Sequence, residues 1–170
     1  VKAREVLVAM VEQLRKVVGP DLLARMLELK MTMHEVLTLA SVIEKETGAN
    51  GERSEVSAVF HNRLKKHIPL QSDPTVIYGL PSFDGNLRKK DLSNPSPYNT
   101  YRVKGLPPGP IANPGIQAIR ATLYPSNSRS LYFVSRNDGT HKFSATLMEH
   151  NQAVEKYQRR HVRRAALPRT

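Results

Sequence analysis

Apolar positions recur at helical spacing from Val1 to Lys66 and then lose that period. Val6, Val8, Met10, Leu14 and Val17-Val18, mixed with charges, predict a first helix from Val1 to Val18. Gly19-Pro20 breaks it, and Asp21-Leu22-Leu23 starts a short second helix reaching Leu29. Thr32 followed by Glu35 is a capping-box pattern, so a third helix starts there. Its stripe is Val36, Ala40, Ile43 and Thr47, flanked by Leu37 and Leu39, with Gly48 as the expected C-cap. Asn50-Gly51 makes a turn. Glu52 to Lys66 then predicts a fourth helix whose inward face carries Val56, Val59, Phe60, Arg63 and Leu64.

From Ile68 the texture changes. Prolines at 69, 74, 81, 95, 97, 107, 108, 110 and 114 exclude long helices and predict turns and extended pieces. Irregular backbone of that length in a compact domain lines a functional surface. Leu106-Pro107-Pro108-Gly109-Pro110 reads as a rigid loop wall in preference to a polyproline ligand. Pro114, placed at N1, opens a helix that runs to Leu123 before Pro125. Ser130 to Ser135 and Thr140 to Ser144 flank Asn137-Asp138-Gly139, the pattern of a β-hairpin. A last helix runs from Thr146 to Arg160, marked by Leu147, Val154 and Tyr157. The expected class is therefore α+β: mostly helical, with one small antiparallel β element and long Pro-rich loops.

At 170 residues the chain is long enough for one domain with a true core, and no repeat or linker divides it. The expected organisation is a single domain over 1–170: a helical lead-in at 1–36, a motif-bearing core at 37–157 and a basic tail at 158–170. No apolar run approaches the ~20 residues that span a bilayer. The absence of cysteine removes thiolate nucleophiles and disulfides. Six histidines lie scattered without metal-pair spacing, so no metal or other cofactor is expected. A net charge of +11 favours anionic partners: nucleic acid, anionic lipid or an acidic wall polymer. Part of this charge is local, since Arg159, Arg160, Arg163, Arg164 and Arg169 fall in the tail. A nucleic-acid reader sets its basic residues beside stacking aromatics on one element. The tail has none beyond Tyr157, so no nucleic-acid partner is expected.

Two acids, Glu44 and Glu46, close an otherwise core-like helix. Residues two apart point roughly 200° apart around a helix, so these two do not form a paired-carboxylate site. Each lies roughly 80° from the apolar stripe, on opposite sides, and periodicity does not rank them. The helix C-terminus disfavours ionisation and so tilts the choice slightly towards Glu46 as a general acid.

The stretches ASVIEKETG, GERSEVSAVFHNRL, LQSDPTVIYGL, SPYNTYRVKGLPPGPIANPG and LYFVSRNDGTHKFSATLMEHNQAV occur in that order. Together they resemble the catalytic domain of the endolytic murein transglycosylases, over residues 37–157. The resemblance implies a lysozyme-like helical core and a lytic transglycosylase that cuts nascent peptidoglycan strands, terminating their elongation. It further implies a membrane anchor and a LysM-like domain, neither of which this sequence contains. With these come a location at the cell inner membrane with the catalytic domain facing outward, and peptidoglycan synthases as partners.

The family's catalytic glutamate matches Glu46, and Glu46-Thr47 also resembles the Glu-Ser pair of the soluble lytic transglycosylases. In the implied chemistry this single carboxylate cleaves the bond between N-acetylmuramic acid and N-acetylglucosamine, leaving a 1,6-anhydro end. Substrate contacts are expected from Gln71, Ser72, Asp73, Thr75, Tyr78, Asn99, Thr100 and Tyr101. Glu52 and Arg53 are expected to pair at a helix start. Arg63 is left open between a substrate carboxylate and a packing or ion-pair role. Two alternatives stand beside this reading: a basic nucleic-acid-binding module, and a wall-binding scaffold with little activity of its own.

Overall fold

In a computed structural model residues 2–159 are described, and the fold is α+β as the pattern predicts. Helices α1 (Ala3–Val17) and α2 (Pro20–Leu29) lead into α3 (Met33–Glu46). A 3-10 turn at Asn50–Glu52 precedes α4 (Arg53–Lys65), and α5 (Asp73–Tyr78) follows. After another 3-10 turn at Asp91–Ser93 come α6 (Ile116–Leu123), strands β1 (Tyr132–Ser135) and β2 (His141–Ser144), and α7 (Leu147–Val154). A π-type turn over Glu155–Arg159 extends α7. The rest of the expected tail, including Arg160, Arg163, Arg164 and Arg169, lies outside the described residues.

Helix α3 is the central element, packed against α4, α5 and α6. The expected capping box is present at its start, with the Thr32 hydroxyl accepting from Glu35 N–H and the Glu35 carboxylate accepting from Thr32 N–H. The single-stripe expectation is too narrow: every residue from Thr38 to Ile43 is buried, so this stretch is enclosed on all sides. Full burial of Leu39 or Ile43 contributes about 1.5–3 kcal/mol each. Gly48 is not the cap. The helix stops at Glu46 because Thr47 turns to extended backbone (φ −142°, ψ 130°).

Around this axis Leu22 and Met26 of α2, Val56 and Phe60 of α4, Leu70, and Ala118, Ile119 and Leu123 of α6 complete the core. Helix α1 buries none of its residues fully and rests on the core through Leu14 and Val17, so Val6, Leu7, Met10 and Val11 stay exposed. Helix α4 closes in a Schellman arrangement with His67 left-handed (φ 54°), His67 N–H bonding Leu64 O and Ile68 N–H bonding Arg63 O.

Three boundaries differ from expectation. Ser72-Asp73-Pro74-Thr75, expected as loop, starts α5, because Pro74 lies in the first turn where its missing N–H costs nothing. Pro114 precedes α6 instead of occupying its N1 position, and Gly115 is the N-cap. Glu44 holds that point by accepting Gly115 N–H at 3.1 Å, with Arg53 3.7 Å from its other oxygen. The hairpin is shorter than expected, pairing Tyr132 with Ser144 through Ser135 with His141, and its turn uses Asn137 (φ 64°) and Gly139 (φ 86°). The loop-wall reading of Leu106–Pro110 fits: Pro107 and Gly109 are buried, and Pro108 O meets His34 Nε2 at 2.7 Å.

Candidate active site

Because α3 ends on Glu46, its last side chain leaves the core and enters a cavity of about 420 Å³. Arg63 of α4 and the Leu70-Gln71 link form one side, with Asp73 of α5 and Tyr101 beside them. Tyr132 and Phe133 of β1 and Leu147, His150 and Asn151 of α7 form the other. The cavity is thus the meeting place of the helical half and the hairpin half of the fold.

Burial pushes the Glu46 carboxyl up to about 7, and the Asp73 charge adds to that rise. A hydrogen bond from Ser72 Oγ to Glu46 Oε1, with smaller effects of His141 and Arg63, opposes it. Burial leads here, whereas the sequence argument rested on the helix end. A carboxyl poised near 7 can both give and take a proton at neutral pH, which one acid/base residue requires.

Ser72 is itself held from behind. Its N–H donates to Thr100 Oγ1 (3.0 Å), and its carbonyl accepts the Thr75 hydroxyl (2.6 Å). The Thr75 and Thr100 hydroxyls meet at 2.7 Å, and Gln71 N–H donates to Thr100 O at 3.0 Å. Since the Thr75 proton is committed to Ser72 O, Thr100 donates to Thr75. Asn99 is knotted in the Pro-rich loop, its amide donating to Leu92 O and Asn94 O and accepting Tyr101 N–H.

The expected substrate residues therefore divide. Ser72, Thr75, Asn99 and Thr100 are at most 1% exposed, so in this structure they support the site from beneath and do not face a sugar. Gln71, Asp73 and Tyr101 line the cavity. Tyr101 OH donates to Asp73 Oδ1 at 2.6 Å, and burial followed by this bond raises the phenol well above its ordinary value. Tyr78 does not line the cavity. It is exposed and packs against Tyr98, ring centroids 4.7 Å apart.

Two expectations are corrected. Glu52 does not pair with Arg53: its carboxylate accepts His141 N–H (2.9 Å) and meets His141 Nδ1 (2.7 Å), fastening the start of α4 to β2. Arg53 approaches Glu44 instead. A second carboxylate, Asp73, stands in the cavity with Glu46, whereas spacing within α3 offered none.

Sequence reasoning missed Tyr132, His150 and Asn151. A signal for the last two was present, since Thr146-x-x-Glu149 is a capping box that starts α7. From that start Leu147, His150 and Asn151 fall at i, i+3 and i+4, one face of the helix.

The profile of the YceG-like family matches residues 1–156. An endolytic murein transglycosylase of Bacillus subtilis is 47% identical over 128 residues, covering 75% of this chain and 36% of that protein. One of Streptococcus pneumoniae is 36% identical over 110 residues, covering 62% of this chain and 20% of that protein. The crystal structure of a yceG-like protein from Listeria monocytogenes superposes with a TM-score of 0.81 at 41% identity, over 89% of this chain and 49% of that one. The chain spans a fifth to a half of the length of these relatives.

Proposed function

We propose, from the premise that this chain belongs to the YceG-like family, that its cavity cleaves peptidoglycan glycan strands by lytic transglycosylation. One observation carries the reading. Glu46 is a helix-end carboxyl raised to about 7, fixed by Ser72 and lining the cavity. The names of the curated relatives support the substrate class.

In the proposed reaction, protonated Glu46 gives its proton to the oxygen bridging N-acetylmuramic acid C1 and N-acetylglucosamine C4. As the C1–O bond breaks, the muramoyl 6-hydroxyl attacks C1, and its proton returns to the Glu46 carboxylate. The product is a 1,6-anhydromuramoyl end, no water is consumed, and Glu46 finishes protonated. In the unliganded cavity the Arg63 charge favours the ionised form of Glu46. Endolytic action on nascent strands, partnership with peptidoglycan synthases and an inner-membrane anchor with the cleft outward belong to the same proposal.

Asp73 supports a second reading. A carboxylate beside the acid can act as the base for a water molecule, which gives hydrolysis and a reducing end. Digestion of purified glycan strands followed by end-group mass spectrometry separates the two. Anhydro ends, lost in a folded Glu46→Gln variant, are the expected result. Reducing ends, lost in Asp73→Asn, would replace lysis by hydrolysis, and no cleavage at all would overturn both.

A further inference from the structure

Among the described residues the cavity holds one cation, Arg63, and no ion pair neutralises it. Arg63 is 7% exposed, yet none of the ion pairs among the described residues includes it. Nε donates to Leu131 O (2.7 Å), and Nη1 is shared among Pro69 O (3.2 Å), Leu70 O (2.9 Å) and Gln71 Oε1 (3.3 Å). All four acceptors are neutral. Nη2 donates to none of the described residues.

The Arg63 guanidinium lies 5.2 Å from the Tyr132 ring centroid, and the same ring stacks with that of His150 at 5.1 Å and 23°. His150 lines the same cavity, and its buried Nδ1 has no hydrogen-bond partner among the described residues. Burial and the Arg63 charge hold His150 below its ordinary pKa. A buried arginine without an ion-pair partner is costly unless an anion meets it. A planar guanidinium with a free edge suits a carboxylate better than it suits a sugar hydroxyl.

We infer that Arg63 binds a carboxylate of the muramic acid unit and so selects and orients the strand at Glu46. The inference rests on the cavity being the glycan cleft. Two sources supply such a group: the lactyl carboxylate of a peptide-free strand, and a carboxylate of the stem peptide. Glu46 and Arg63 sense one another's charge. A carboxylate seated on Arg63 removes part of the field that favours Glu46 ionisation, and so keeps the acid protonated when substrate is bound.

The test measures binding of glycan strands to the Glu46→Gln chain by calorimetry, with turnover by the wild-type chain measured in parallel. Four strands are compared: peptide-free, peptide-free with the lactyl group converted to the carboxamide, stem-bearing, and stem-bearing with its carboxylates amidated. The expected result is a loss of roughly 10–100-fold in affinity on amidation of one source, which identifies that source. In turnover the loss is expected chiefly in KM, with the basic limb of the kcat profile at higher pH for the carboxylate form. Arg63→Met is expected to bind both forms alike, and Arg63→Lys to recover part of the preference. Equal binding of all four strands overturns the carboxylate site while leaving the lytic reading intact. Failure of every strand to bind overturns both.

Discussion

Ser72 Oγ donates to Glu46 Oε1, joining the first residue of the α5 cap to the last residue of α3. The bond favours the anion, against a burial that favours the acid, and the balance leaves Glu46 at about 7. Ser72→Ala removes the opposing effect. Its basic limb in kcat/KM against pH is expected to move above that of the wild type, with activity at pH 7 lowered by the loss of carboxyl positioning. A pH–rate series on glycan strands checks this, and a limb moved downward would contradict the assigned role.

Thr100 stands one step behind. Its hydroxyl accepts Ser72 N–H and donates to Thr75, entirely within protein. Thr100→Val keeps the shape and strands the Ser72 N–H, for an expected loss of about 1–3 kcal/mol in urea unfolding. Turnover is expected to fall further than stability explains at temperatures where the variant remains folded, because Ser72 loses its backbone anchor. A Thr100→Ser variant should restore most of both.

Glu52 carries the contact between the two halves of the cavity. It receives two bonds from His141 on β2, whose hairpin partner β1 supplies Tyr132 and Phe133 to the wall. Glu52→Ala leaves a half-buried His141 N–H without its acceptor, and a stability loss of about 1–3 kcal/mol is expected by urea titration. Hydrogen exchange should rise in β1 and β2 before it rises in α3. Uniform exchange across the fold would show that the contact does not fasten the hairpin locally.

These sites show what was legible in sequence and what was not. The Thr32–Glu35 capping box and the Asn137-Asp138-Gly139 turn are local signals, and each acts over a few residues whatever the rest of the chain does. The start of α5 was equally local, in Ser72-Asp73-Pro74, but a proline-dense neighbourhood masked it. Burial of α3 on all sides was not legible, because Thr38 and Ser41 look polar and are enclosed only through α5, α6 and the loop at Ile111, whose N–H bonds Ser41 Oγ. The ranking of Glu44 and Glu46 also needed the third dimension. Glu44 meets Gly115, 71 residues away, whereas Glu46 lines the cavity and is held from beneath by Ser72. Asn99 and Thr100 share a motif with Tyr101, yet only Tyr101 reaches the cavity, since burial is a property of the packed loop and not of its letters.

Glu46 also leaves a signature in stability. Its carboxyl titrates near 4.5 when unfolded and about 7 when folded, so the native state retains a proton that the unfolded chain releases between those values. Stability therefore falls as pH rises through that window and levels off above it, by roughly 3 kcal/mol in all. Glu46→Gln keeps the shape, still accepts from Ser72 through its amide oxygen, and has no charge to bury. Its stability should match that of the wild type near pH 4 and exceed it by roughly 3 kcal/mol at pH 8. Paired urea titrations at the two pH values measure the difference directly. A variant no more stable than the wild type at pH 8 would mean that Glu46 ionises there without cost, and the acid/base role assigned to it would lose its physical basis.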